Sequence, residues 1–469
     1  MNAFDTVTWF VYLACAVCFV IGLHLMNGPR TARRGNLVSA AAMVVAVCTA
    51  VVRAGVEAGT TGLGWLLLIA GIVVGSAAGV ALARQVRMTA MPQLVSLFNA
   101  VGGAAALLIS LTYALTGDGD GLASRVSVPV VLGVLIGSVT LTGSLVAAGK
   151  LQGLLSGTPT RIPGRRALDV LALLLALASA VWFVLDPGAR TSVVVLLVVG
   201  LGFGLLLALP IGGADMPVVI SLLNAFTGLA VAMSGLVVDD LVLIIAGALV
   251  GAAGSILTGL MAKAMNRSVA AILAGGFGTG DGADSPQGPD TRPVHVTEAD
   301  DVAVQLAYAH KVIIVPGYGL AAAHAEHEVA ELADYLRGRG IDVTFAIHPV
   351  AGRMPGHMNV LLAEANVPYD ELIDMDQANP QFEQTDVVLV VGANDVTNPA
   401  ARRPGTAISG MPILDVDRAR SIVVIKRSMG RGYAGIDNEL YTNPKTSMFF
   451  TDAKAGLTAL LSSVKTLVG

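Results

Sequence analysis

The chain has 469 residues, room for two or three ordinary domains, and a formal net charge of −4. Charged residues make up only 13%, apolar residues reach 54%, and the mean hydropathy is +0.73. This composition excludes a disordered chain, argues against a purely cytosolic enzyme and provides no basic field for nucleic acid. The three cysteines, Cys15, Cys18 and Cys48, lie in apolar runs; they predict no disulfide framework and no zinc site, and we expect no other metal site.

The composition changes along the chain. Residues 1–262 are mostly long apolar runs and predict a transmembrane domain, residues 263–290 are a Gly-rich connector, and residues 291–469 resemble a water-soluble domain. Nine apolar segments are each near the roughly 20 residues that a helix needs to cross a bilayer. These segments are Val7–Met26, Asn36–Val52, Leu63–Ala83, Met91–Leu115, Val126–Ala148, Ala167–Leu185, Ser192–Leu209, Met216–Val238 and Leu241–Ala262.

Loop charges predict the orientation of these spans. One side carries most of the Lys and Arg residues, and the other carries only Arg53, Arg125 and Arg190. The cationic side has Arg30, Arg33, Arg34, Arg84, Arg87, Lys150, Arg161, Arg165, Arg166, Lys263 and Arg267. The positive-inside rule places that side in the cytoplasm, with the N-terminus outside and the C-terminal domain cytoplasmic. Trp9, Trp65 and Trp182 fall at outer span ends, as interfacial anchors do.

The membrane half contains an internal repeat. Met91–Gly103 resembles Met216–Gly228 in the same register, 125 positions later. The repeat places Asn99 and Asn224 at equivalent depths, where each amide either bonds neighbouring helices or lines a proton or ion path. Asp215 precedes the second copy, and no ionisable residue lies in the middle of a predicted span. A stripe of Gly71, Gly75 and Gly79 predicts close helix packing in the third span.

The soluble half alternates apolar strands with helices. An amphipathic helix is predicted over Gly319–Arg337. Strands are predicted at Val312–Val315, Asp342–Ile347, Val387–Val391, Pro412–Asp415 and Ile422–Ile425. Continuous apolar strands that alternate with helices predict a Rossmann-like parallel α/β sheet, so the whole chain is expected to be a helical membrane bundle plus an α/β domain.

The first strand–helix turn has a dinucleotide fingerprint, Gly317-Tyr-Gly319-Leu-Ala-Ala322. Its glycines allow a tight turn and close backbone approach to a pyrophosphate. An NAD site usually has an acidic residue after the second strand, whereas residues 347–353 contain neither Asp nor Glu. Arg353 and the pair Lys426-Arg427 are candidate ligands of a 2′-phosphate, which favours NADP; alternatively, Lys426-Arg427 is a solvated loop pair.

A second strand end carries Gly392-Ala-Asn-Asp395. Asp395 is either a structural Asx turn or cap, or a group that titrates with the state of the cofactor. His348 and His357 flank a neighbouring loop, and neither has the spacing of a metal ligand.

Several segments together resemble the β subunit of proton-translocating NAD(P) transhydrogenase over nearly the whole chain. They are Val315–Ala322, His348–Asn359, Gly392–Asp395, Lys426–Gly435, Gly213–Val218, Asn224 and Met265–Ser268. The resemblance implies an NADP(H) domain that holds the nucleotide in an orientation opposite to that of ordinary Rossmann sites. The implied cofactor-binding residues are Gly317, Tyr318, Gly319, Ala322, His348, Val350, Ala351, Gly352, Arg353, Gly392, Ala393, Asn394, Asp395, Lys426, Arg427, Ser428, Gly432 and Tyr433.

The resemblance also implies individual roles. Lys426, Arg427 and Ser428 would hold the 2′-phosphate, and Tyr433 would lie in a loop that closes over the cofactor. Proton coupling would involve Asn224, Asp215, Asp395, Arg267 and Asn99. Some family members have histidine at the position of Asn99, and three-chain members carry the proton-handling histidine on a separate small membrane subunit.

Partners are therefore expected. The chain has one dinucleotide fingerprint, yet hydride transfer between two nicotinamides needs two sites, so NAD(H) would be held by a partner α subunit. The resemblance further implies a small histidine-bearing membrane subunit, a dimer of the complex and a location in the bacterial plasma (inner) membrane. The alternative is an ion channel or transporter with a nucleotide-sensing cytosolic domain, although such sensors usually resemble NAD sites with an acidic residue after the second strand.

Overall fold

The computed structural model describes most of the chain. The described residues are 3–26, 29–57, 61–86, 90–116, 124–156, 160, 162–212, 215–265, 268–275, 293–352, 356–404, 406, 408–432 and 434–468. Contacts divide the chain into two compact units, Met1–Pro210 with Val219–Thr258, and Ile211–Val218 with Gly259–Gly469. We call them the helical unit and the C-terminal unit and describe each by itself.

The described part of the helical unit is formed by nine helices that are long and apolar enough to cross a membrane, as predicted. They are α1 (Ala3–Met26), α2 (Pro29–Glu57), α3 (Gly62–Gln85), α4 (Met91–Thr116), α5 (Ser124–Leu151), α6 (Arg165–Leu185), α7 (Arg190–Ala208), α8 (Met216–Val238) and α9 (Leu241–Ala264). The largest difference from prediction is α2, which extends well beyond Asn36–Val52 at both ends. Hydropathy marks the apolar centre of a helix, but hydrogen bonding continues into its polar ends.

Burial differs strongly among these helices. Two-thirds of the apolar stretch of α5 is buried, and its Val130 and Val134 pack with Phe183 and Leu196 in a core shared by α4, α6 and α7. In contrast, α3 has no buried residue. Positions where Gly71, Gly75 and Gly79 would carry a Cβ have no neighbouring atom within 4 Å in the described structure. The close packing predicted from this stripe is therefore not made within the described chain. A stripe of small residues allows another helix to approach closely, but it does not determine which helix does so.

The sequence repeat has a structural counterpart. Ser96 donates to the carbonyl of Ser144 on α5 (2.8 Å), and its repeat equivalent Ser221 donates to the carbonyl of Gly254 on α9 (3.3 Å). The equivalent glycines Gly103 and Gly228 also lie where these two helix pairs approach closely, since an added Cβ would meet α5 or α9 at under 3 Å. The pairs α4–α5 and α8–α9 are thus packed in the same way.

The C-terminal unit is an α/β domain, as predicted, and its described residues form a seven-stranded parallel sheet with the order β1-β7-β6-β5-β2-β3-β4. The strands are β1 (His295–Val296), β2 (Lys311–Pro316), β3 (Asp342–Ile347), β4 (Leu372–Asp374), β5 (Val387–Val391), β6 (Ser421–Lys426) and β7 (Thr446–Phe450). The helices are α10 (Val269–Gly275), α11 (Ala299–Ala307), α12 (Tyr318–Ala322), α13 (Glu326–Gly338), α14 (His357–Glu364), α15 (Met375–Ala378) and α16 (Ala453–Val468).

Two predicted elements differ from the structure. The helix predicted over Gly319–Arg337 is divided into α12 and α13, because His324 between them has a positive φ of 51°, which no helix residue adopts. Residues 412–415 were predicted as a strand but lie outside the sheet. This segment bonds instead to the side chain of Asn379, which donates to the Ile413 carbonyl and accepts from the Asp415 N–H. Pro412 also lacks the N–H that a sheet ladder needs.

Candidate nucleotide site and polar membrane positions

Four of the predicted segments lie at one edge of the C-terminal sheet. Strands β6, β5, β2 and β3 are consecutive neighbours in a fully parallel sheet, so their carboxyl ends lie at the same edge. The segments that follow them start at Arg427, Gly392, Gly317 and His348. In open α/β sheets this edge is where ligands bind, at the point where the chain order reverses. Here the reversal falls between β5 and β2.

The fingerprint glycines pack against the turn after β5. The Gly317 N–H donates to the Val391 carbonyl and the Gly319 N–H to the Gly392 carbonyl, both at 2.9 Å. A Cβ on Gly317 would lie 2.4 Å from the Ala393 Cα, and one on Gly319 would lie 2.6 Å from the Gly392 Cα. The two turns therefore fit together only because these positions lack side chains.

Other residues of the fingerprint differ in exposure. Tyr318 is half-buried, whereas Ala322, at the end of α12, is exposed. Gly392 has a φ of 69°, so the turn after β5 also depends on glycine.

His348 fixes the loop after β3. The side chain is buried, its Nε2 donates to the Pro412 carbonyl (2.8 Å), and its Nδ1 accepts from the Val350 N–H (3.2 Å). Burial lowers the pKa of His348 to about 4, so the imidazole is neutral at physiological pH. Gly352 has a φ of 98° and lies directly against the His357 ring, while Val350 is half-buried and Ala351 is buried. His348 therefore shapes this loop as a neutral hydrogen-bonding group.

Asn394 and Asp395 hold the loop that follows β6. Asp395 is half-buried, and its Oδ2 accepts from the Ala434 N–H at 3.0 Å. A Cβ on Gly432 would lie 2.3 Å from Asp395 Oδ1, so glycine is needed there. With its amide oriented to satisfy both atoms, Asn394 accepts from the Gly432 N–H at 2.7 Å. The carboxylate of Asp395 thus joins two loops that are distant in sequence, which the local Asx turn considered above would not do.

The three residues predicted to bind a 2′-phosphate have different surroundings. Lys426 is half-buried, and its ammonium group donates to the Gly430 carbonyl. Burial lowers the pKa of Lys426, and the charges of Asp395 and Asp437 partly offset that effect. Arg427 and Ser428 are exposed, so their polar groups are accessible to a ligand. The solvated-pair interpretation therefore fits Arg427 and not Lys426.

In the helical unit, the two repeated asparagines are also in different environments. Asn99 is buried, its Nδ2 donates to the Ile220 carbonyl of α8 (3.2 Å), and its own carbonyl accepts from Thr227 Oγ1 (3.3 Å). Asn224 is half-buried, and within the described residues its amide has no hydrogen-bond partner. Asn99 therefore bonds two helices, whereas Asn224 keeps its hydrogen-bonding capacity.

Among the described residues, one buried cation lies in the helical unit, and one buried carboxyl group lies in the C-terminal unit. Lys150, counted above as a loop cation, is buried in the last turn of α5, where its ammonium donates to the Leu209 carbonyl just after α7. Cations favour the carbonyl end of a helix, which explains this placement. In the C-terminal unit, Asp215 is fully buried directly before α8.

Comparison with known proteins identifies the family. The family model described as NAD(P) transhydrogenase beta subunit matches residues 8–463. NAD(P) transhydrogenase subunit beta of Rhodospirillum rubrum is 44% identical over 457 residues, which cover 96% of this chain and 97% of the relative. The subunit of the same name from one strain of that species gives the same values. The chain belongs to the NAD(P) transhydrogenase beta subunit family.

Membership of the transhydrogenase beta family confirms the predicted resemblance and gives this chain an oxidoreductase class, an involvement of NAD(P) and partner subunits. With the nine apolar helices it also makes the chain a multi-pass membrane protein. Arg267, Arg353 and Tyr433 lie outside the described residues.

Sequence reasoning did not identify Tyr441 and Asn438, which lie beside Asn394. The amide nitrogen of Asn438 donates to the Asn394 carbonyl at 3.0 Å. Both residues are more than 40 positions away along the chain, and no local pattern indicates such a contact.

Proposed function

We propose that this transhydrogenase beta chain binds NADP(H) at the carboxyl edge of its C-terminal sheet and passes hydride between NADP(H) and NAD(H) held on a partner α subunit. The transfer is coupled to inward proton movement through the helical unit in a bacterial plasma membrane, with the N-terminus outside and the C-terminal domain cytoplasmic. The observation that carries the proposal is the gathering of the fingerprint turn at Gly317 and the cationic segment Lys426–Ser428 at one sheet edge.

The position of the cations supports NADP and the reversed orientation of the nucleotide. In an ordinary Rossmann site the ribose 2′ group lies at the strand next to the fingerprint strand, which corresponds to β3 here. That strand is followed by the buried His348 and by no acidic residue, whereas the cations follow β6, on the other side of β5. A 2′-phosphate at β6 therefore requires the adenosine half to lie on the β6 side of the switch point.

The residues present fit an NADP(H) molecule. Arg427 and Ser428 are exposed donors for the 2′-phosphate, and Lys426 adds a second cation. Charge-assisted hydrogen bonds of this kind contribute about 1.5–3 kcal/mol each. The turns around Gly317 and Gly392, the loop at His348–Gly352 and Gly432 supply the remaining backbone surface. NADP(H) supplies the hydride chemistry when bound, so this chain needs no nucleophile; its residues orient the nicotinamide and exclude water.

We assign proton coupling to one residue of the nucleotide domain and to four residues in or beside the predicted spans. The first is Asp395, and the others are Asn99, Asp215, Asn224 and Arg267. The described geometry favours Asn224 over Asn99 as the amide that serves a proton path, because the Asn99 amide is already bonded to Ile220. The predicted spans have no ionisable residue in the middle, and a proton relay usually needs one. A separate small membrane subunit with a histidine would supply it, in a complex that is a dimer.

The test is coupled turnover of the reconstituted complex. Membrane vesicles that contain this chain with its partner subunits should reduce an NADP⁺ analogue with NADH, and an inward proton gradient should accelerate that reaction. Each proton moving down 100 mV contributes about 2.3 kcal/mol. Nucleotide-gated ion flux without hydride transfer would instead establish the channel or transporter alternative.

A further inference from the structure

The aromatic ring of Tyr441 lies beneath the ammonium group of Lys426. Lys426 Nζ is 4.5 Å from the ring centroid, within the range of a cation–π interaction. Tyr441 is fully buried in the core of the C-terminal unit, among residues such as Leu440, Ala393 and Val424. The ring therefore has a fixed position and can fix the position of a cation above it.

The tyrosine hydroxyl connects this ring to the turn after β5. It lies 2.9 Å from the Asn394 amide and donates to the Ala393 carbonyl at 3.4 Å. Asn394 in turn accepts from Lys426 Nζ at 3.3 Å in the amide orientation that satisfies both of its atoms. Lys426, Tyr441 and Asn394 thus form one closed set of contacts between the ends of β5 and β6.

The contacts of Lys426 hold its ammonium group loosely enough for it to bind an anion. An ammonium group has three N–H donors, which here are directed at the Gly430 carbonyl, the Asn394 side-chain oxygen at 3.3 Å and the Tyr441 hydroxyl at 3.4 Å. The last two contacts are long for hydrogen bonds, so a phosphate oxygen can replace them. The interaction with the ring face uses charge and consumes no donor. A free lysine loses considerable rotamer entropy when it binds an anion, and a lysine already held over a ring loses less.

From this geometry we infer that Tyr441 is a positioning residue that holds Lys426 for the 2′-phosphate and thereby sets the preference for NADP(H) over NAD(H). The inference rests on the proposed function, since it deepens the role of the same site. Tyr441 acts through Lys426 and contacts no nucleotide itself. It should therefore influence affinity only for nucleotides that carry the 2′-phosphate.

The experiment changes the charge distribution of the ring at nearly constant shape. In the full-length chain prepared without the α subunit, which would itself bind NADH, Tyr441 is replaced by phenylalanine and by pentafluorophenylalanine. The fluorines of the latter reverse the ring quadrupole on which a cation–π interaction depends. Dissociation constants of NADPH and NADH are measured by nicotinamide fluorescence. Tyr335 is the matched control, because its ring also lies under an ammonium, that of Lys465 at 5.7 Å, but on the helix pair α13–α16.

We expect Tyr441→Phe to keep the NADPH affinity within about threefold of wild type, since only the hydroxyl contacts are lost. Pentafluorophenylalanine at position 441 should weaken NADPH binding about fivefold relative to phenylalanine and leave NADH binding unchanged. The same pair of replacements at Tyr335 should change neither constant. Equal NADPH affinities of the two variants at position 441, or equal losses for NADPH and NADH, would overturn the inference.

A further variant separates this inference from the proposed function. Lys426→Ala in the wild-type background should remove much of the preference for NADPH. A wild-type chain without that preference, or one whose preference survives Lys426→Ala, would refute the assigned phosphate site itself. A preference that depends on Lys426 but not on the ring at position 441 would refute only the role of Tyr441. Both ring replacements preserve the volume of a buried aromatic residue, so folding of the variants is expected.

Discussion

The helical unit and the C-terminal unit use polar side chains for different contacts. In the described helices, Ser96, Asn99 and Ser221 each donate to a backbone carbonyl of another helix, and no side chain of opposite charge is involved. At the carboxyl edge of the C-terminal sheet, the polar groups are charged and bond to loops. The Lys426 ammonium donates to the Gly430 carbonyl, and the Asp395 carboxylate accepts from the Ala434 N–H. The comparison indicates that polar groups hold helices together in one unit and join the loops at the carboxyl edge of the sheet in the other.

The largest expected effect tests the charged edge. Replacing both cations, Lys426→Ala with Arg427→Ala, should weaken NADPH binding at least about a hundredfold, because two charge-assisted contacts of about 1.5–3 kcal/mol each are lost. NADH binding should change by less than about threefold, because NADH has no 2′-phosphate. The measurement is fluorescence titration of the full-length chain, prepared without the NAD(H)-binding α subunit, with both nucleotides. Lys465→Ala is the control, since this lysine lies in the last turn of α16, at the far end of that helix from the carboxyl end of β7, and pairs with Glu331 of α13. Equal losses of affinity for NADPH and NADH would contradict the assignment of Lys426 and Arg427 to the 2′-phosphate.

A second prediction concerns the neutral imidazole of His348. Its pKa is about 4 in the folded state, below the ordinary value of 6.5, so below pH 6.5 the unfolded state binds a proton that the folded state does not. The contribution to stability is therefore complete above pH 6.5 and is lost as the pH falls towards 4, by about 3 kcal/mol in total. Hydrogen exchange of the Val350 amide, corrected for intrinsic rates, should show this loss. His348→Gln, which cannot titrate, should abolish the pH dependence; an unchanged pH profile in that variant would contradict the assignment.

A third prediction concerns the contact between two glycine turns. Gly317→Ala should destabilise the C-terminal unit by about 2 kcal/mol, because the new methyl group would overlap the backbone at Ala393. Gly338→Ala is the matched control, since that position has no neighbouring atom within 4 Å. The thermal unfolding midpoint of the C-terminal unit should be lower in Gly317→Ala and unchanged in Gly338→Ala. Similar midpoints for the two variants would show that the turns do not need this close approach.

The smallest expected effect distinguishes the two repeated asparagines. Asn99→Leu should lower the stability of the helical unit by about 1 kcal/mol, because a buried interhelical hydrogen bond is lost. Asn224→Leu should leave that stability unchanged and lower proton-coupled turnover about tenfold, with unaltered NADPH affinity. Detergent-unfolding curves and vesicle turnover give the two readouts. If Asn99→Leu reduced coupling without changing stability, the comparison between the two amides would be wrong.

The parts of this molecule that could be predicted from sequence follow simple length and burial rules. Nine spans were predicted because a bilayer requires about 20 apolar residues. Strands β2, β3, β5 and β6 were predicted because buried parallel strands are continuous apolar runs. Strands β1 and β4 have only two and three residues, too few for a pattern, and Thr446–Phe450 mixes polar with apolar residues.

Contacts between distant residues could not be predicted in the same way. Lys150 has the sequence context of a loop cation, and only the packing of α7 against α5 shows that it is buried. Tyr441 follows Lys426 by 15 positions. Its ring lies under the ammonium only because the chain between them folds back to the end of β6, which no local pattern indicates. The fingerprint glycines were correctly placed after β2, but their packing against the Gly392 turn depends on strand order.

The central claim is that the 2′-phosphate of NADP(H) lies among the cations that follow β6. Phosphorus NMR of NADP⁺ bound to the full-length chain tests it directly, because a 2′-phosphate changes its resonance as it takes up a proton with an ordinary pKa of about 6. Contact with Lys426 and Arg427 should lower that phosphate pKa by at least about one unit, and Arg427→Ala should return it towards the value in solution. A bound 2′-phosphate that titrates as it does in free NADP⁺ would contradict the account.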